Sequence, residues 1–106
     1  MRRVSKYPVH AIGREKAWRL AKTEWWKEST PREIVEFQLR TQELCVPIPD
    51  LLDALQKTFG RPVLLHELSS SNSTALLDEF YGDKEAPVWQ EIINLLPEER
   101  RIIVRL

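Results

Sequence analysis

The chain has 106 residues, 42% of them hydrophobic and 30% charged, with three glycines and one cysteine. That length corresponds to one globular domain, spanning 1–106, with room for a core that needs no disulfide or metal staple, and the balance excludes a disordered chain. Sixteen Lys/Arg against sixteen Asp/Glu give zero net charge and a pI near 6.7, well below the basic balance of a dedicated nucleic-acid binder.

The charge is nonetheless unevenly placed. Residues 1–40 hold ten Lys/Arg and five Asp/Glu, whereas residues 41–106 hold six and eleven. Such a chain packs its ends together or offers its basic end to an anionic partner, although an uneven split also arises without functional cause. Cys45 has no second cysteine to pair with, which favours a reducing compartment. The opening MRRVSKYPVHAI has basic residues but no apolar run of signal-peptide length, and no stretch approaches the roughly 18 apolar residues of a membrane span. The expectation is a soluble cytoplasmic protein of bacterial compactness.

In chain order, Val4 to Ile12 reads as an extended segment broken at Pro8. From Arg14 to about Trp26 the composition favours a helix carrying Ala17, Trp18, Ala21 and Trp25 on one face. On that pattern Trp25 packs inward with Trp18 and Ala21, while Trp26 stays near the surface or against the following helix. Thr30-Pro31-Arg32-Glu33 then marks a helix start, with a hydroxyl N-cap, proline at the first helical position and glutamate three residues past the cap. Ile34, Phe37, Thr41, Leu44 and Cys45 follow at helical spacing and predict a helix over 31–45. Arg32–Glu36 and Glu36–Arg40 read as exposed pairs on it, and Cys45 as a packed small hydrophobe.

Val46-Pro47-Ile48-Pro49 breaks that helix, and a second follows over about 49 to 59. Asp50 and Asp53 sit in its first turn, Leu51, Leu52, Leu55 and Phe59 form its apolar face, and Gly60 caps it. The two read as a helical hairpin around a proline elbow. Val63-Leu64-Leu65 is a short strand or extended buried segment. A serine cluster at 69–74, with Ser71 or Asn72 as cap, leads into a helix over 73–81 marked by Leu76, Leu77 and Phe80 and closed by Gly82. After a solvated turn at Asp83-Lys84-Glu85, Pro87 starts a helix with Val88, Ile92, Leu95 and Leu96 on one face, and Pro97 ends it or begins a single further turn. Arg101 to Leu106, apolar and β-branched, reads as a terminal strand able to pair with 63–65 or edge to edge with a second copy. The predicted fold is mainly α, a single small domain of four to five short helices with a minor strand pair; α+β is the alternative.

The motifs for chemistry are sparse. His66-Glu67 resembles a zinc-hydrolase start, but the position four residues after His66 is Ser70, and His10 is the other histidine. Cys45 or a serine from 69–73 meeting His66 would make a nucleophile–base pair, yet no G-x-S-x-G elbow and no phosphate-cradling glycine loop occurs. The N-terminal third interleaves Arg2, Arg3, Lys6, Arg14, Lys16, Arg19, Lys22 and Lys27 with Tyr7, Trp18, Trp25 and Trp26, a mixture suited to phosphates and stacked bases. The hairpin is a poor helix-turn-helix, because its second helix opens with carboxylates.

These residues predict a non-catalytic binding or regulatory module acting through protein–protein or small-ligand contacts, with no cofactor, no metal and no membrane association. Its candidate contact residues are Trp25, Trp26 and Trp89, and its partner a protein or a second copy in a homodimer. The alternative is a nucleic-acid-associated regulator, with Arg14, Arg19 and Lys22 as anion contacts. A small enzyme with a polar site at His66 and Glu67 is the third.

Overall fold

The computed structural model describes residues 8–69, 73–82 and 84–105, in which short helices enclose one hydrophobic cluster. The helices are α1 (Arg14–Lys22), α2 (Pro31–Leu39), α3 (Ile48–Phe59), α4 (Ser73–Tyr81), α5 (Trp89–Ile93) and α6 (Arg101–Arg105). Three single 3-10 turns, Trp25–Glu28, Leu65–Leu68 and Glu98–Arg100, join them. The Cα radius of gyration is 13.2 Å, as expected for a compact chain of this length, about 13 Å. Among the described residues no helix is long and apolar enough to cross a membrane.

Helix α2 is the hub, packing most extensively on α3 and also touching α4 and α5, while α6 packs on α1. Its start is the predicted capping box. Thr30 Oγ1 accepts from the Glu33 N–H at 3.2 Å, and Glu33 Oε1 accepts from the Thr30 N–H at 2.9 Å. Ile34, Val35, Phe37 and Leu39 then enter the core. Helix α3 buries Leu51, Ala54 and Leu55 and ends, as its sequence requires, at Gly60 with φ 72°. In that left-handed cap the Gly60 N–H closes on the Gln56 carbonyl at 2.9 Å.

Helix α2 stops at Leu39, short of the predicted 45. The reason is a set of side chains that claim the next loop. Gln38, itself buried, accepts from the Cys45 N–H at 2.7 Å and donates to the Glu43 carbonyl at 2.8 Å. Thr41 Oγ1 turns back to donate to the Phe37 carbonyl at 2.8 Å. Trp25 Nε1 donates to the Cys45 carbonyl at 3.0 Å. Cys45 and Val46 are therefore buried from a loop, and Leu44 is 48% exposed instead of lying on a helical stripe.

The adjacent tryptophans separate because helix α1 ends at Lys22, and not near 26. Glu24 takes a left-handed φ of 55° and redirects the chain into the 3-10 turn. Trp25 is then wholly buried, edge-on to Phe37 at 5.1 Å, while Trp26 is half-buried against the core. Trp18 does not join them: it is 62% exposed on the outer face of α1.

No strand forms among the described residues. Leu64 and Leu65 are exposed and lead into a 3-10 turn, although Val63 is buried. Residues 101–105 are helical because Pro97 and the turn at 98–100 launch α6, which lays Val104 on α1. The edge-to-edge strand route to a dimer goes with that correction. The helix expected from Pro87 begins at Trp89, leaving Val88 outside its face at 62% exposure. Residues 4–7 of the expected extended segment, the Ser71 or Asn72 cap, Asp83 and Leu106 lie outside the described residues.

Thr30→Ala removes one side of the capping box and is expected to lower stability by about 1 kcal/mol. Urea denaturation checks it, with Thr30→Ser retaining most of the wild-type value.

Candidate functional site: a cleft beside Arg40

Arg40 was expected on an exposed helix face, paired with Glu36. It is instead 1% exposed, at the C-terminal end of α2. Burying a guanidinium is costly unless its hydrogens are bonded. Nε donates to the Pro8 carbonyl at 2.9 Å, and Nη1 donates to the Pro87 carbonyl at 2.9 Å and the Tyr81 hydroxyl at 3.2 Å. The Tyr81 hydroxyl in turn donates to Glu36 Oε2 at 2.7 Å. Glu36 and Arg40 thus communicate through a phenol instead of touching. The negative end of the α2 dipole adds to the compensation. Nη2 keeps two donors with no protein acceptor among the described residues.

Arg40 lines a cleft of about 480 Å³ whose sides come from the two segments it binds. On one side, residues 8–10 run along the end of α2. The His10 N–H donates to the Arg40 carbonyl at 2.9 Å, and the His10 carbonyl accepts from the Gln42 N–H at 2.8 Å. This is the isolated parallel bridge between His10 and Thr41. On the other side lie Lys84, Glu85, Pro87 and Trp89. The His10 imidazole stacks on the Trp89 indole at 4.4 Å and 15°, tying the two sides together across the cleft. Phe37 supports Trp89 from the core at 6.1 Å.

Of the predicted contact residues, Trp89 alone lines this cleft; Trp25 is core and Trp26 packs against it. Arg14, Arg19 and Lys22 lie on exposed parts of α1. Glu67 does not stand ready for catalysis. Arg61 donates to both Glu67 and Glu79, at 3.1 Å and 2.8 Å through Nη2, and Glu67 Oε2 accepts from the Leu64 N–H at 2.8 Å. The Arg61 guanidinium, then the Leu64 amide, hold the Glu67 carboxyl below its ordinary range. These bonds brace the 65–68 turn against α4. His66 is exposed beside them. Cys45 is wholly buried, and burial pushes its thiol up to about 12, far from a reactive thiolate at neutral pH. No cluster of three or more His, Cys, Asp or Glu side chains arranged to hold a metal occurs among the described residues.

Sequence reading missed Arg40, His10 and Tyr81 as a group. Their one legible signal was the Glu36–Arg40 spacing, which points equally to a solvent-exposed pair. A second hollow of about 490 Å³, lined by Val9, Leu39, Leu44, Leu51 and Leu68 with Gln38 and Gln42, is mainly apolar and has no comparable buried cation.

The Tyr81 hydroxyl is pushed up to about 12, first by burial and then by its Glu36 partner, against the opposing effect of Arg40. The unfolded chain releases this proton near the ordinary value of 10.0, and the Cys45 thiol near 9.0. The stability that these two groups contribute is therefore complete below pH 9 and is lost as pH rises toward 12. Tyr81→Phe should cost about 1–2 kcal/mol at neutral pH by stranding Arg40 and Glu36, and should remove the part of the alkaline loss that begins near pH 10. Denaturant titrations across that range measure both.

No family model, no curated protein and no solved structure matches this chain.

Proposed function

We propose that the chain is a binding module whose recognition site is the Arg40 cleft and whose ligand presents an anionic oxygen. The observation that carries this reading is the pair of Nη2 hydrogens left without a protein acceptor among the described residues, on a buried guanidinium that lines the cleft. Such donors belong to a guanidinium otherwise enclosed by protein, so an oxyanion that meets them gains a charge-assisted bond in a less screened setting than at a surface arginine. Lys84 on the facing wall supplies a second cation, and the His10–Trp89 stack supplies a flat, partly apolar surface.

The bonds already made restrict the ligand. Nε and Nη1 are spent on Pro8, Pro87 and Tyr81, so the two-nitrogen fork that grips a carboxylate side-on is not open. One oxygen meets Nη2, and a second charge contact has to come from Lys84. Binding without turnover is the favoured reading. Among the described residues the lining has no serine, threonine or cysteine to act as nucleophile, and Arg40 is fixed by three bonds.

Titration of isotope-labelled protein with phosphate, acetate and benzoate, followed by NMR, tests this. Saturable shifts are expected at the Trp89 indole, His10 and Lys84. Lys84→Glu, an exposed change, should leave the fold intact and weaken binding about five-fold, the worth of ~1 kcal/mol of surface charge interaction. The absence of saturable shifts with all three anions, or affinity unchanged in Lys84→Glu, overturns the proposal.

A further inference from the structure

The outer face of α1 and its neighbour α6 carries an independent feature. Together these two helices, REKAWRLAK and RIIVR, hold six Lys/Arg and one glutamate in a chain of zero net charge. Ala17 and Leu20 turn inward, so the 100° step between residues places Arg14, Trp18 and Lys22 in one outward row, with Glu15 and Arg19 beside it. Packing of α6 on α1 adds Arg101, Arg105 and an Ile102 that is 59% exposed. The sequence alone assigned these last residues to a strand and gave no reason to join them to α1.

Several cations elsewhere are neutralised by a carboxylate, although, among the described residues, Arg32, Arg40 and Lys84 are not. Lys27, Lys57, Arg61 and Arg100 each reach a carboxylate within 4.0 Å. Arg14, Arg19, Lys22, Arg101 and Arg105 form no ion pair among the described residues. Arg101 and Arg105 bond neutral oxygens of residues 94–96, which aims them without neutralising them. Trp18 shares α1 with Arg14, Arg19 and Lys22 and is 62% exposed, with the Lys22 ammonium 4.2 Å from its ring centroid.

We infer that this α1–α6 face docks single-stranded nucleic acid, the phosphates meeting the unpaired cations and a base stacking on Trp18. An anionic polymer answers the concentration of charge, and an exposed indole beside cations is the usual platform for an unpaired base. Duplex keeps its bases stacked on one another and leaves Trp18 without a partner. An anionic membrane is the weaker fit, since α1 turns its apolar face to the core and the α1–α6 face keeps only Trp18 and Ile102 as large exposed apolar side chains among the described residues. Neither the cleft nor Arg40 takes part in this contact.

Fluorescence anisotropy of a labelled mixed-sequence DNA strand, with its duplex and anionic phospholipid vesicles as comparators, decides the matter. Single strand should bind at low salt, weaken steeply as salt rises, and bind more tightly than duplex. Trp18→Ala should reduce affinity about ten-fold, the order of one lost stacked base. The double charge reversal Arg19→Glu with Arg105→Glu should abolish binding while circular dichroism stays unchanged. Lys57→Ala, an exposed cation already paired with Asp53 on α3, should leave strand binding unaltered. No single-strand binding at low salt, equal affinity in Trp18→Ala, tighter binding to duplex or vesicles, or loss of binding in Lys57→Ala each overturns the inference.

Discussion

A single buried guanidinium ties together parts of the chain that lie far apart in sequence. Arg40 takes the Pro8 carbonyl, 32 positions upstream, and the Pro87 carbonyl, 47 downstream, while its Nη1 also meets Tyr81. A charge at 1% exposure survives only where its hydrogens find oxygens and some negative potential lies close by. The helix end supplies part of that potential, and the Tyr81 hydroxyl relays the rest from Glu36. Because those acceptors are backbone carbonyls of two separate segments, satisfying the charge also fixes where the segments run. The cleft between them is a consequence of that requirement.

Arg40 reaches this position because α2 ends where it does. Continuing the helix to 45 would use the amides and carbonyls of residues 41–45 in its own ladder. Gln38 and Trp25 take several of those groups instead, while the Thr41 hydroxyl claims the Phe37 carbonyl, and each does so from within the core. Buried polar side chains are costly unless fully bonded, so this network specifies one loop path among many. Trp25 serves twice. Its ring fills the core against Phe37, and its N–H anchors the loop that carries Cys45.

The two proposed surfaces rest on different physics. At the cleft one cation is held by its own bonds in a partly desolvated place, where electrostatic attraction is strong and salt screens it weakly. On the α1–α6 face several cations stand in water, where each contributes little alone and salt controls the sum. The uneven division of charge along the chain feeds both. Arg40 and His10 come from the basic first part, yet Lys84, Arg101 and Arg105 come from the acidic remainder. Chain folding, and not position in the sequence, gathers the positive charge.

Local chemistry alone determined the mainly helical class, the capped start at Thr30, the left-handed stop at Gly60 and the loss of helix at the 46–49 prolines. Each rests on a hydroxyl, a missing Cβ or a missing N–H within a few residues of the event. The sequence also placed Trp25 inside. Where α2 ended, which way Trp18 faced, and whether IIVR became strand or helix were decided by partners distant in the chain. A β-branched run adopts whichever backbone its neighbours allow, and α6 had α1 to pack on but no strand among the described residues to pair with. The candidate site follows the same division. Trp89 was visible as a large aromatic, but Arg40, paired on paper with Glu36, was drawn inward by carbonyls of Pro8 and Pro87 that only the tertiary fold brings within 3 Å of it.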